Sequence, residues 1–238
     1  MSYLKKIIIS AKELIITYIL SYIIIIISCL LYHIFTKGNL EHFINTICSY
    51  ILIIYYIIII YYLYQKNKQK EPHLSKKSYF PLIYLGISVA TFLNMIIFKL
   101  NPPTESKSQI SVLTAFVSSG IIGPIYEELT FRYIFLNKLK SFNSSKKAIL
   151  INSIIFALIH LSPVKIIYAF ILGLTINIAY EKYKNILAPI LIHIFANSIV
   201  LLLNEYNTYI FFLSIIGLLL SIKLNNINIQ NKNTYFNI

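Results

Sequence analysis

The chain has 238 residues, 58% hydrophobic and 12% charged, with a mean hydropathy of +0.73 and a formal net charge of +13. A soluble domain of this size would be about half apolar and about a quarter charged, so the composition excludes a soluble protein with a large core. Nucleic acid is excluded as a partner too, because the lysines stand in short segments between apolar runs and form no aromatic-interleaved basic face.

A membrane-spanning helix needs roughly 20 mostly apolar residues. Runs of that length recur, whereas barrel strands would alternate in short segments. The expected fold class is an all-α polytopic membrane protein. In chain order eight spans are predicted: Leu14–Phe35, Phe43–Tyr64, Phe80–Leu100, Ile110–Leu139, Ala148–Leu161, Ile166–Tyr180, Ile186–Leu203 and Thr208–Ile222. Six result if the fifth and sixth form a re-entrant pair. The N-terminal lysines and apolar run are followed by no small-residue cleavage site, so the first span is read as retained. The Asn-rich tail after Lys223 reads as loose, and no internal repeat is visible. With the N-terminus inside, 16 of the 20 lysines face the cytoplasm, and only Lys37, Lys99, Lys107 and Lys165 lie outside. This asymmetry predicts a multi-pass plasma-membrane protein with both termini cytoplasmic. Most tyrosines near span ends read as interfacial anchors. Cys29 and Cys48 read as small buried thiols, since two cysteines make no disulfide framework.

Ionisable groups at membrane depth are expensive and usually functional. All eight acidic residues are Glu, and only the pair Glu127–Glu128 falls within an apolar stretch. The single Arg, Arg132, follows Glu128 by four residues, so the two share a helix face and can pair. Glu127 projects about 100° away and is left for other work. Pro124 is expected to open a second half-helix, with both carboxylates near its N-terminus. His160, His193 and Asn197 lie on two later spans, the last two at i and i+4. Counted at 1.5 Å per residue from Lys138, Lys147 and Lys184, Glu127, His160, His193 and Asn197 all lie roughly 14–20 Å from the cytoplasmic boundary. A common depth argues for one shared site around an intramembrane polar cavity. The competing structural reading is an ion-pair knot at Glu127, Glu128 and Arg132 with helix-bridging hydrogen bonds at the histidines and Asn197. Phe156 shares the face of His160 and reads as packing, as do Asn94 and Asn177. His33, His42 and His73 receive no role.

Taken in order, Glu-Glu-x-x-x-Arg (Glu127, Glu128, Arg132), Phe-x-x-x-His (Phe156, His160) and His-x-x-x-Asn (His193, Asn197) resemble the CPBP family. That family comprises CAAX prenyl endopeptidases and bacteriocin-processing or immunity-associated membrane proteases. The resemblance covers about residues 110–205, which divides the chain into N-terminal helices (1–109), a CPBP-like core (110–205) and a last helix with its tail (206–238). It implies that Glu127 and His160 activate a water, that His193 and Asn197 stabilise the oxyanion, and that Glu128, Arg132 and Phe156 support them. The prenyl endopeptidase branch implies a metal-free glutamate protease. Zinc on Glu127, His160 and His193 is the competing mechanism, although the His-Glu-x-x-His signature is absent. The implied partners are a peptide or membrane-protein substrate and the bilayer. The alternatives are a non-enzymatic bacteriocin-immunity or binding protein, and a proton-relaying transporter, for which no inverted repeat is visible.

Overall fold

The computed structural model describes residues 2–36, 43–44, 47–101, 112–203 and 205–235, with side chains through Asn225. Lys37, Glu41, His42, Glu105 and Lys107, and the predicted start of the fourth span at Ile110, lie outside the described residues. Regular structure among the described residues is entirely helical. The helices are α1 (Tyr3–Ser10), α2 (Lys12–Thr36), α3 (Ile47–Lys66), α4 (Tyr79–Leu100), α5 (Val112–Ala115), α6 (Gly123–Glu128), α7 (Asn137–Lys140), α8 (Ser145–Leu158), α9 (Pro163–Tyr183), α10 (Leu187–Val200) and α11 (Thr208–Tyr235).

The protein is an all-α membrane protein. Among the described residues, five helical segments are long and apolar enough to cross a bilayer: Lys12–Thr36, Ile47–Lys66, Lys76–Leu100, Pro163–Tyr183 and Thr208–Asn225. The other three predicted spans take different forms. Residues 112–140 are a helical stretch interrupted by two π segments. Helices α8 and α10 have 14 residues each. Such a helix rises about 21 Å, short of a hydrocarbon core of about 30 Å. The tail departs from expectation as well, because α11 continues to Tyr235. No Gly or Pro after Lys223 stops it.

Two compact, interleaved units make up the chain. The first is Met1–Gln69 with Ser106–Ala148, and the second is Lys70–Glu105 with Ile149–Ile238. In the first, α2 and α3 pack along the helical stretch from α5 to α7. Glu13, at the start of α2, forms ion pairs with Lys138 of α7 and, at 3.9 Å, with Lys66 of α3. The backbone N–H of Gln69 donates to Tyr133 Oη at 2.6 Å, and Gln69 Nε2 donates to the Tyr133 carbonyl at 2.9 Å.

In the second unit, α4 is the central helix, packed against α10 and α11. Its core includes Leu82, Val89, Ala90, Ile176, Ile192 and Ala196. Gly86 lets α4 touch α10 backbone to backbone: a Cβ there would stand 2.3 Å from the Ile192 carbonyl oxygen. Ile192 is the neighbour of His193, so this contact sets where the histidine sits. Helix α9 is tied to α8 by Asn177, whose Nδ2 donates to Ser153 Oγ at 2.8 Å, an interhelical polar contact common in membranes.

The entry to α10 is clamped. Lys184 adopts φ 52° and ends α9 in a left-handed cap, its N–H donating to the Tyr180 carbonyl at 2.8 Å. Asn185 Oδ1 accepts from the N–H of Leu187 at 2.8 Å, and its Nδ2 donates to the Pro72 carbonyl at 2.8 Å. Glu71 Oε2 accepts from the Ile186 N–H at 3.0 Å, satisfying one of the orphan donors at the helix start. Its other oxygen is buried without a partner among the described residues. Burial pushes the Glu71 carboxyl above its ordinary value, against the opposing pull of the Ile186 N–H.

Two stability tests follow from this packing. Gly86→Ala forces backbone apart and is expected to destabilise the protein by about 1–3 kcal/mol, read as a lower melting temperature in detergent. A melting temperature equal to wild type would show that α4 and α10 are not in backbone contact. Because the folded Glu71 holds its proton more tightly than the unfolded chain does, its contribution is fully present below the unfolded carboxyl value. It is lost as pH rises through the raised folded value. Glu71→Gln keeps an acceptor for Ile186 and is expected to flatten this dependence and raise the neutral-pH melting temperature, measured as melting curves across pH.

Candidate active site

In the first unit, the carboxylates lie on α6, between a π segment at Phe116–Ile122 and another at Leu129–Leu136. The expected break at Pro124 is therefore absent. Proline has no N–H to donate and its ring crowds the preceding turn; here the ladder widens, with the Gly123 N–H reaching the Ser118 carbonyl five residues back. The chain runs helically into Pro124, so Glu127 and Glu128 do not sit at a free helix N-terminus. Wide π turns inside α-helices are frequent at functional sites.

Glu128 and Arg132 pair as their spacing predicts. Arg132 Nη1 donates to Glu128 Oε1 at 2.8 Å, and both side chains have 0% exposure. The Arg132 guanidinium also lies 5.9 Å from the centre of the Phe131 ring. Glu127 is half-buried and within electrostatic reach of Arg132, Tyr18 and Tyr56.

Tyrosines hold this segment in place, and here the sequence reading missed residues. Tyr126 is 1% exposed, its hydroxyl 2.7 Å from Thr17 Oγ1. Its ring stacks on Tyr56 at 4.5 Å and tilts against Tyr18 at 5.5 Å. Tyr55 Oη donates to the Thr17 carbonyl at 2.7 Å. Reading tyrosines as interfacial anchors does not suit Tyr126. Its place inside an apolar run, next to Glu127, was the available signal.

In the second unit, Phe156 joins the histidines. It is 1% exposed. Its ring meets His160 at 5.2 Å and 65° and His193 at 5.8 Å and 79°, both edge-on. Helix α8 ends at Leu158, so His160 sits in the turn after it rather than inside a span. Leu161, at φ 58°, completes that turn. His160 Nδ1 lies 2.9 Å from the Phe156 carbonyl oxygen. A carbonyl only accepts, so Nδ1 carries a proton in this bond, and Nε2 is the ring nitrogen left to face other groups. His193, 3% exposed, and half-buried Asn197 lie one turn apart on α10.

Of the site residues, Glu127, Glu128 and Arg132 belong to the first unit and Phe156, His160, His193 and Asn197 to the second. Within neither unit do three His, Cys or Glu side chains among the described residues gather as a metal-binding group. Asn94 and Asn177 serve packing: Asn94 Nδ2 donates to the Ala90 carbonyl at 2.8 Å, and Asn177 bridges α8 and α9.

Arg132→Ala would strand a buried carboxylate and is expected to destabilise the protein by about 3–5 kcal/mol. Glu128→Gln combined with Arg132→Met should recover much of that loss. Melting temperatures of the single and double variants decide it, and equal losses in both would show that the pair is not energetically coupled.

The comparisons with known proteins cover the same stretch. Residues 109–199 match the family model described as type II CAAX prenyl endopeptidase Rce1-like. The membrane-embedded CAAX protease MroQ of Staphylococcus aureus (strain USA300) is 30% identical over 160 residues, which cover 58% of this chain and 62% of that protein. The membrane protein YdiL of Bacillus subtilis (strain 168) is 32% identical over 88 residues, 37% of this chain and 36% of that protein. The chain therefore spans less than two thirds of either relative. No solved structure matches it. Every motif residue from Glu127 to Asn197 falls inside the matched segment, so the stretch of this membrane protein that carries the motifs is the stretch similar to the Rce1-like CAAX prenyl endopeptidases.

Proposed function

We propose that the chain is an intramembrane endopeptidase that hydrolyses a peptide bond near the cytoplasmic leaflet of the plasma membrane. The observation that carries this reading is that both histidine rings meet Phe156, with His160 Nδ1 bonded back to the Phe156 carbonyl. The buried Glu128–Arg132 pair adds support, since it fixes the helical turn that also carries Glu127. One family model runs across all of these residues.

In the proposed reaction, Glu127 and His160 take a proton from a water as its oxygen attacks the peptide carbonyl carbon. His193 and Asn197 donate to the oxygen that becomes negative, where donors in a dry site are worth several kcal/mol. Collapse of this intermediate breaks the C–N bond, and the nitrogen leaves with the proton that water gave up. Glu128, Arg132 and Phe156 position these groups. The plausible substrates by chemistry are leader-bearing peptides, bacteriocin or signalling precursors and membrane-anchored tails. We propose a metal-free reaction, in keeping with the match to a prenyl endopeptidase. Zinc on Glu127, His160 and His193 would instead polarise the water and carbonyl, and loss of cleavage on chelation would identify it.

The test compares peptide termini in membranes of cells making wild type or Glu127→Ala at matched levels of folded protein. A cleavage product is expected with wild type only, and His160→Ala is expected to slow its formation by roughly 10²–10⁴-fold, the usual worth of a general base. Identical termini, with a bacteriocin-immunity phenotype that survives in Glu127→Ala, would replace the protease reading with a binding role.

A further inference from the structure

The second unit holds a cavity of about 400 Å³ between α4, α9 and α11, with neither His160 nor His193 in its lining. Its walls are apolar, with Val89 and Phe92 from α4, Ile171 and Ile178 from α9, and Leu218 and Ile222 from α11. Ile171, Ile178 and Ile222 are 39%, 52% and 52% exposed, so the cavity opens sideways along helices apolar enough to cross a bilayer. One end is polar, formed by Lys182, Tyr183 and Asn225. Tyr183 Oη donates to Asn225 Oδ1 at 2.8 Å, and Asn225 Nδ2 donates to the Pro81 carbonyl at 3.1 Å. These bonds bring the end of α9, the Asn225 turn of α11 and the start of α4 to one level. Lys182 lines the cavity itself, and in sequence Lys184 and Lys223 lie within two residues of Tyr183 and Asn225, and Lys77 four before Pro81. Of the acids there, Glu181 is paired with Lys184, and Glu71 accepts from Ile186.

We propose that this groove is a binding site for an anionic phospholipid, with one acyl chain between α4, α9 and α11 and the phosphate at Lys182. The volume lies within the roughly 300–1,000 Å³ of small-molecule sites. An apolar slot open to the bilayer selects a hydrocarbon chain. The basic rim at one end selects the headgroup charge, as basic pockets between membrane helices do. A zwitterionic headgroup carries its own cation to the lysines and gains less. Nothing in this assignment depends on the proposed protease chemistry.

The full chain is reconstituted in bilayers of phosphatidylcholine containing a minority of phosphatidylglycerol, then released for native mass spectrometry. Wild type is expected to retain one phosphatidylglycerol per chain, enriched several-fold over its share of the bilayer. Lys182→Gln should return the retained lipid to bilayer composition. Thr175→Trp, which fills the groove from α9, should abolish retention of either lipid while the protein remains monodisperse. Retention in bilayer proportion by wild type, or enrichment unchanged in folded Lys182→Gln, overturns the proposal.

Discussion

The buried pair of Glu128 and Arg132 is the contact on which the carboxylate segment depends. Two charges with no exposed surface are each expensive to remove from water, and their attraction repays that only when the geometry is good. Here the geometry is a 2.8 Å charge-assisted bond along one helix face. Arg suits this place because its guanidinium is planar and presents its donors as a rigid fork, whereas a Lys would bring a compact, heavily hydrated charge. The pair acts within its own helical stretch, and so fixes the turn from which Glu127 projects. The tyrosines above it complete the arrangement: Tyr126, bonded to Thr17 and stacked on Tyr56, leaves that turn little freedom to rotate.

The second unit solves a different problem. Its histidines must be held at defined angles by helices too short to cross a bilayer by themselves. Length is part of the answer, because a helix ending at Leu158 delivers His160 in a turn, where its ring can bond back to the Phe156 carbonyl. The rest is close packing. Gly86 admits the backbone of α10, and Asn185 and Glu71 satisfy the N–H groups that open that helix. Phe156 then serves as the surface both histidine rings lie against.

Much of this could be read from the chain. Helical membrane class, the Glu128–Arg132 pairing and the i, i+4 face of His193 and Asn197 follow from composition and helical periodicity, which are local properties. The reading failed where local rules compete. Pro124 signals a break, yet the helix absorbs it by widening its hydrogen-bond ladder over Phe116–Ile122. Apolar run length marks eight stretches, and among the described residues five of them are single helices that are long and apolar enough to cross, the others being a π-interrupted helical stretch and two 14-residue helices. Short apolar helices and full spans share a composition and differ only in where their ends are tied.

By itself, the sequence determined that this is an all-helical membrane protein and which few polar residues stand out within its apolar runs, because hydropathy and helical spacing act over one or two turns. Tertiary structure alone decided that Phe156 meets His193 as well as His160, and that Gly86 and Glu71 set the position of α10. Those facts rest on contacts between residues tens of positions apart, whose pairing no local pattern encodes.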